Sequence, residues 1–557
     1  MKQAIIIGGG PAGLTAAYEL AKGGAYHPVV LERDAVLGGL ARTVDFGGNR
    51  MDIGGHRFFT KSAEVQALWD ELLPTAGAPA YDDRVLGRPF HGTPGGADPE
   101  QADRLFLLRH RISRILYNHH FFDYPVSLNA RTIRGLGLAR MLAIGTSYLA
   151  ACVHKREEIT LEDFMVNRFG RALYETFFAG YTEKVWGKSP AELGADWGSQ
   201  RIRGISLAAV LKNVAQRALG IGKNTEASLI EEFRYPKYGP GQLFDVLAEK
   251  VTAMGGEIVR GADVLRIEPA DGAQSDAANE TVNAAGGAEA APSAAGASGN
   301  GRRVGRVIYR TADGAEHALA ADVVLSSMPV KDLVAALPSA WFSDDVRKTA
   351  AALPYRDFMT AGLLVDRLLL KNETPYKTLG GIVPDCWIYI QEPDVRLGRL
   401  QVFNNWSPYL VRDPEHTVWL GLEYFCQEGD ALWTMADDAF LRFATEELER
   451  IHVIAPGAVK EGHVVRMQKA YPAYYGSYEA FPAVRAALDT IHGLWCIGRN
   501  GQHRYNNMDH SMLTALEAVR AIHHADETGV EDKTALWDVN TETDYHETRD
   551  AAKGADA

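Results

Sequence analysis

Cysteine is scarce in this chain: four residues in 557, at Cys152, Cys386, Cys426 and Cys496, with no CxxC pair. The scatter excludes a zinc ribbon or a disulfide scaffold, no metal site is expected, and the thiols suit a reducing cytoplasm. An excess of positive charge is also missing. A net charge of −13 argues against a general nucleic-acid surface, and any anionic substrate then needs a local arginine cluster. No charged start, apolar core and small-residue cleavage site precede the first predicted strand, so no signal peptide is expected. Long apolar runs are absent with one partial exception. Residues 135–153 carry a single charge, Arg140, but hold three glycines and the polar Thr146, Ser147 and Tyr148. A buried or membrane-touching helix is expected there rather than a transmembrane span.

What the chain does have starts at its N-terminus. At this length, and with 46% hydrophobic residues, two or three domains are expected. The β-branched run Ala4–Ile7 reads as a buried parallel strand. Gly8, Gly10 and Gly13 then open a helix with apolar positions at Leu14, Ala17, Tyr18 and Leu20. The first glycine permits a tight turn, the second lets backbone approach a pyrophosphate, and the third allows close helix–strand packing. Glu32, followed by Arg33, ends the second strand where an acid accepting ribose hydroxyls should fall. The pattern predicts dinucleotide binding, with the phosphates at a helix N-terminus. A second glycine-rich turn, with Gly39, Leu40 and Ala41, offers amides to the far side of an extended cofactor. Gly54, Gly55 and His56 follow. No second GxGxxG follows a strand, so no separate NAD(P)H domain is expected: the reductant, NAD(P)H among the candidates, comes from outside or shares the sugar cleft.

This series resembles the FAD-binding half of the amine oxidase superfamily, which includes protoporphyrinogen oxidases, phytoene desaturases and UDP-galactopyranose mutases. Stretches at Gly180–Gly187, Trp197–Arg201, Arg399–Pro408 and Gly498–Tyr505 resemble the mutases in particular. The resemblance runs from residue 4 to about 522 and fails in 74–104, 271–301 and the tail. It implies FAD, held by Gly8, Gly10, Gly13, Glu32, Arg33, Gly39, Leu40, Ala41, Gly55, His56, Val264, Arg499, Met508 and Asp509. It also implies isomerisation of UDP-galactopyranose and UDP-galactofuranose through a sugar adduct on N5 of reduced flavin, for cell-surface polysaccharide synthesis. In that scheme Arg201 and Arg399 grip the pyrophosphate, and Tyr389, Tyr471 and Tyr505 offer it hydroxyls. Trp186 borders the sugar, and His56 accepts a hydrogen bond from N5–H. Read singly, the arginines also suit ion pairs, the aromatics suit core packing, and Asp509 suits a helix N-cap. Asn506 and Asn507 stand where the bacterial mutases carry an acid, which leaves the sugar open. The alternative is an FAD-dependent oxidoreductase of the amine oxidase, protoporphyrinogen oxidase or phytoene desaturase type.

The expected fold is α/β, with a Rossmann-like (glutathione reductase-like) FAD-binding domain assembled from 1–125, 231–335 and 486–526. A helical domain is expected over 126–230 and an antiparallel substrate-binding domain over 336–485, with strands at 360–365, 386–391, 400–404 and 418–426. Residues 271–301 are almost wholly Ala, Gly, Ser, Asn, Asp and Glu, too polar to offset their ordering entropy, and read as a disordered insertion at a hairpin tip. Residues 527–557 read as a loose acidic tail. The expected partner is a UDP-sugar and not nucleic acid. The expected location is cytoplasmic, with peripheral membrane contact and homo-oligomerisation both left open.

Overall fold

The computed structural model describes residues 1–124, 126, 130–195, 232–270 and 301–540. They pack as two compact units. Met1–Gly39, Leu247–Pro354 and Gly476–Asn540 form the first; Leu40–Val246 and Tyr355–Tyr475 form the second.

The first unit is built on a five-stranded parallel sheet in the order Leu494–Cys496, Val323–Ser326, Lys2–Ile7, Tyr26–Glu32, Glu257–Arg260. Ala4, Ile5 and Ile6 are wholly buried at its centre, and Val324 and Leu325 pair beside them. Such continuous apolar runs are what a parallel sheet covered on both faces demands. The helices Pro11–Gly23 and Met508–Thr528 pack against each other. A separate antiparallel sheet holds Asp263–Pro269, Val304–Arg310 and Glu316–Ala320, with Pro269 opposite Val304. The stretch 271–300 between those two strands lies outside the described residues. The expected loose tail is corrected up to residue 540. The closing helix continues to Thr528 and a further helix spans Thr534–Asp538. Its Trp537 is buried, donates from Nε1 to Asp489 at 3.0 Å, and lies under the Arg485 guanidinium.

The second unit carries a seven-stranded sheet in the order Val459–Pro472, Tyr355–Val365, Val418–Cys426, Arg399–Val402, Trp387–Ile390, Ser113–Tyr117, His120–Asp123. All neighbours are antiparallel except Trp387–Ile390 with Ser113–Tyr117. Ala361, Leu363, Ile388, Ile390, Leu400, Val402, Leu420 and Leu422 alternate along the inner strands and form one buried aliphatic layer. The helix Asp437–Arg450 adds Phe440, Ala444 and Leu448 to that layer. The opposite face is aromatic and polar. The strands over 113–123, which lie inside the expected 1–125 segment, complete this sheet. Phe122 and Ile115 also share a core with Phe164, Phe169 and Phe177 of the helices Leu161–Phe169 and Arg171–Phe177, so the helical region and the antiparallel sheet belong to one unit.

The helix Ala130–Val153 buries one side against these helices. Its 22-residue stretch Thr132–Val153 is long and apolar enough to cross a membrane, yet little of it is buried. Of the two expectations for 135–153, a buried helix or a membrane-touching one, the buried one is therefore corrected: most of the helix faces outward.

Candidate functional site

In the first unit, three glycines do distinct geometric work. Gly8 has φ +102°, where an L side chain is strained. A Cβ on Gly13 would stand 1.8 Å from the Gly8 carbonyl oxygen, so only glycine lets the helix start this close to the strand. Gly10 caps the helix Pro11–Gly23 with no side-chain hydrogen bond, so the first-turn amides are served by no side chain of the cap. The second glycine turn stands against the first: a Cβ on Gly39 would meet Gly10 Cα at 3.2 Å, and Gly38 N–H donates to the Gly9 carbonyl at 2.9 Å. Glu32 is buried and accepts from the amides of Gly9 (2.6 Å) and Asp34 (2.8 Å), which ties the turn to the end of the second strand. The surface left is bare backbone with a helix N-terminus behind it, and a dinucleotide pyrophosphate fits it. Gly498 closes in from the strand Leu494–Cys496: its φ is +72°, and a Cβ there would meet Ala12 Cβ at 2.9 Å. Next to it Arg499 donates to the Asn506 carbonyl at 2.6 Å and lies 4.8 Å from the Tyr505 ring.

In the second unit the site is made by register. Tyr389 is directly opposite Arg399, Arg399 opposite Glu423, and Glu423 opposite Thr360. Residues directly opposite across strands share a face, so one row of the sheet presents phenol, guanidinium, carboxylate and hydroxyl together. Two residues along, Trp387 and Gln401 join the same face. Arg399 is held on every side. Its Nε is 2.5 Å from Glu423 Oε2, its Nη2 donates to the Tyr471 hydroxyl at 3.1 Å, and its plane lies 4.7 Å from both the Trp387 and Phe425 rings. Gln401 Nε2 donates to Glu423 at 2.8 Å. Burial pushes the Glu423 carboxyl up, against the pull of Arg399 and Gln401.

Around this row the aromatics form a wall. Tyr389 stacks on Trp387 at 5.6 Å, lies tilted against Tyr124 at 4.4 Å, and meets Tyr181 edge-on at 5.8 Å. Trp186 meets Tyr471 edge-on at 6.4 Å. Burial raises the phenols of Tyr181 and Tyr389, so both stay protonated donors near neutral pH. Trp186 ends the helix Ala179–Trp186, which stops at Gly187 with φ +67°. Arg356 sits at that end, donating to the Val185 carbonyl at 3.1 Å and the Phe425 carbonyl at 3.2 Å. A cation there satisfies a terminal carbonyl and opposes the helix dipole.

The loop carrying His56 touches the wall through Gly55, where a Cβ would meet the Trp387 ring at 3.0 Å. His56 Nδ1 lies 3.0 Å from the Gly54 carbonyl. A carbonyl only accepts, so Nδ1 carries a proton. The strand Asn49–Asp52 leads into this loop. It ends on Asp52, buried and hydrogen-bonded to Thr43 Oγ1 (2.8 Å) and the Tyr235 hydroxyl. Burial pushes the Asp52 carboxyl up to about 7.

Residues 6–72 match a family model for an NAD(P)-binding Rossmann-like domain. The whole chain is similar to solved structures. A reduced UDP-galactopyranose mutase superposes with TM-score 0.69 at 18% identity, covering 96% of this chain and 96% of that one. The chain has the fold of that structure. Within that fold it is also similar to a protein named as a protoporphyrinogen oxidase from Exiguobacterium sp. 255-15, with TM-score 0.58, 16% identity and 94% and 99% coverage. A CLA-producing fatty acid isomerase from P. acnes superposes with TM-score 0.51 at 13% identity, covering 95% of this chain and 99% of that one.

On this fold, the residues singled out in the sequence distribute over both units. Gly8, Gly10, Gly13, Glu32 and Gly39 meet in the glycine cradle, and Arg33 follows Glu32 with an exposed side chain. Leu40 and Ala41 continue the short helix Gly39–Ala41. Val264 lies beside a bulge in the strand Asp263–Pro269. Met508 and Asp509 are buried in the first turn of the closing helix, whose N-cap is Asn507 and not Asp509. Tyr505 belongs to the first unit, on Arg499, and not to the Arg399 row. Gly55, His56, Trp186, Tyr389, Arg399 and Tyr471 belong to the second unit, joined through Trp387 and Phe425. Arg201 lies outside the described residues. Trp387, Glu423, Gln401, Tyr124 and Tyr181 were not anticipated. Alternation places Trp387 on the face of Tyr389, and that was the one signal available for it.

Proposed function

We propose that the chain binds FAD in the glycine cradle of its first unit and isomerises UDP-galactopyranose and UDP-galactofuranose in the cytoplasm, supplying furanose units for cell-surface polysaccharide. The observation that carries this reading is Arg399, a guanidinium sandwiched by Trp387 and Phe425 and bonded to Tyr471, in one row with Tyr389. A fixed guanidinium flanked by phenols suits a diphosphate, which takes paired charged hydrogen bonds and develops negative charge as it leaves a sugar. Flat aromatic surface beside it suits uracil and sugar faces. Bound in its reduced form, FAD supplies the nucleophile at the anomeric carbon. The chain's own residues do the rest. Arg399 and the phenols orient the diphosphate, Trp186 and Trp387 shape the sugar side, and His56 offers Nε2 as an acceptor.

The oxidoreductase reading has a specific observation in its favour: Glu423 neutralises Arg399 within the protein, and the wall of Trp387, Tyr389, Tyr124 and Tyr181 suits an apolar substrate. Calorimetric titration with UDP separates the two. UDP binds the wild type, and Arg399→Ala weakens it by roughly 2–5 kcal/mol while flavin content stays normal. Unchanged UDP affinity in that variant removes the mutase reading.

A further inference from the structure

The helix Ala130–Val153 gives only one side to the protein. Ile144 is buried with Phe164, Phe169 and Tyr174, and Ala151 is buried as well. Arg140 donates to Thr176 Oγ1 at 2.9 Å, and Ser147 Oγ accepts from the Ala172 amide at 3.1 Å. On the other side, Leu138, Leu142, Leu149 and Val153 are 65–76% exposed. At the helical repeat these four fall within about 60° of arc, and the stripe runs roughly 22 Å along the axis. A solvated helix normally turns charge outward; this one turns out leucine.

Along the helix itself the charge has one sign, until Glu157 and Glu158 follow it in sequence. Residues 124–156 contain Arg131, Arg134, Arg140, Lys155 and Arg156 and no aspartate or glutamate, in a chain of net charge −13. Arg156 is shared with Glu162 and Asp163 at 3.7 and 3.5 Å. Arg131 and Arg134 precede the stripe in sequence and Lys155 follows it. We propose that this helix seats the protein on an anionic lipid surface, lying in the headgroup plane with its leucine stripe at the acyl boundary. A bilayer matches both features at once, acyl chains for the stripe and anionic headgroups for the cations beside it. A span does not fit. Gly137, with φ +75°, interrupts the helix, and its packed side carries neighbours with the exposed charges of Arg171 and Glu175, which would enter hydrocarbon. The inference is independent of the proposed reaction.

The test uses the full-length protein with vesicles of phosphatidylcholine, with and without phosphatidylglycerol, read by co-sedimentation and by labelling of Cys152 with a water-soluble maleimide. Cys152 is exposed on this helix while the other three cysteines are buried, so the label reports this helix alone. The protein should pellet with phosphatidylglycerol vesicles, release in high salt, and lose Cys152 labelling when bound. Leu142→Glu/Leu149→Glu should weaken pelleting by roughly tenfold or more with an unchanged thermal midpoint. Arg134→Gln/Lys155→Gln should keep the midpoint and bind both vesicle types equally weakly. Four results overturn the proposal. Wild-type protein does not pellet; the leucine variant pellets normally; the leucine variant dissolves a dimer, which makes the stripe a contact between copies; or Cys152 resists labelling in vesicle-free monomer, which makes the chain's own residues the cover.

Discussion

Removing the guanidinium of Arg399 does two things, because the Glu423 carboxylate beside it has no exposed surface. It takes away the proposed diphosphate donor and leaves a buried carboxylate with Gln401. An orphaned partner of a buried ion pair costs roughly 3–5 kcal/mol of stability. Arg399→Ala should therefore lower the urea midpoint clearly, and Arg399→Ala/Glu423→Gln should restore most of it without restoring UDP binding. If the double variant recovers both, Arg399 is structural only. Asp52 makes a second prediction at this scale. With its carboxyl pushed up to about 7, the native state holds a proton that the unfolded chain has released above its ordinary carboxylate pKa. Its contribution to stability is fully present at low pH and falls as pH rises to about 7. Between pH 5 and 8 the loss is on the order of 2–3 kcal/mol. Asp52→Asn should flatten that slope in urea denaturation; an unchanged slope would place the titration elsewhere.

At the scale of elements, the nucleotide cradle was legible because its signals are local. A strand, three glycines at fixed offsets and an acid at the next strand end lie within thirty-odd residues, and Gly8 and Gly13 are each required by a contact that a Cβ would violate. Gly13→Ala forces a methyl against the Gly8 carbonyl. It should cost roughly 1–3 kcal/mol of stability, and flavin absorbance in the purified protein should disappear. Retained flavin would mean the cofactor is held without this close packing. The Arg399 row was only half legible. Arg399 and Tyr389 sit in recognisable stretches, but Glu423 joins them through strand register, which no local pattern encodes. The strand Val459–Pro472 was missed because it is a half-buried edge strand: Lys460, Glu461, His463 and Arg466 break the alternation that reveals inner strands. The helix Thr534–Asp538 was hidden inside an acidic composition whose one tryptophan decides its packing.

At the scale of the whole molecule, the described residues cross between the two units four times, so segments adjacent in sequence need not share a core. That is why 1–125 reads as one domain in sequence although residues 40–124 belong to the second unit. The stretch 271–300 is long but enters between two paired strands, and loop-closure entropy grows only slowly with length. Its deletion should leave the thermal midpoint within a few degrees and flavin content unchanged; a collapse of expression would show that it carries part of the fold. The central functional claim concerns the assembled enzyme with a reduced cofactor, and purified protein with UDP-galactose tests it directly. With dithionite present, chromatography of the nucleotide sugars should show UDP-galactofuranose accumulating to equilibrium, and without dithionite almost none. No furanose under reduction, together with oxygen consumption on an amine or another reduced substrate, would contradict the isomerase account.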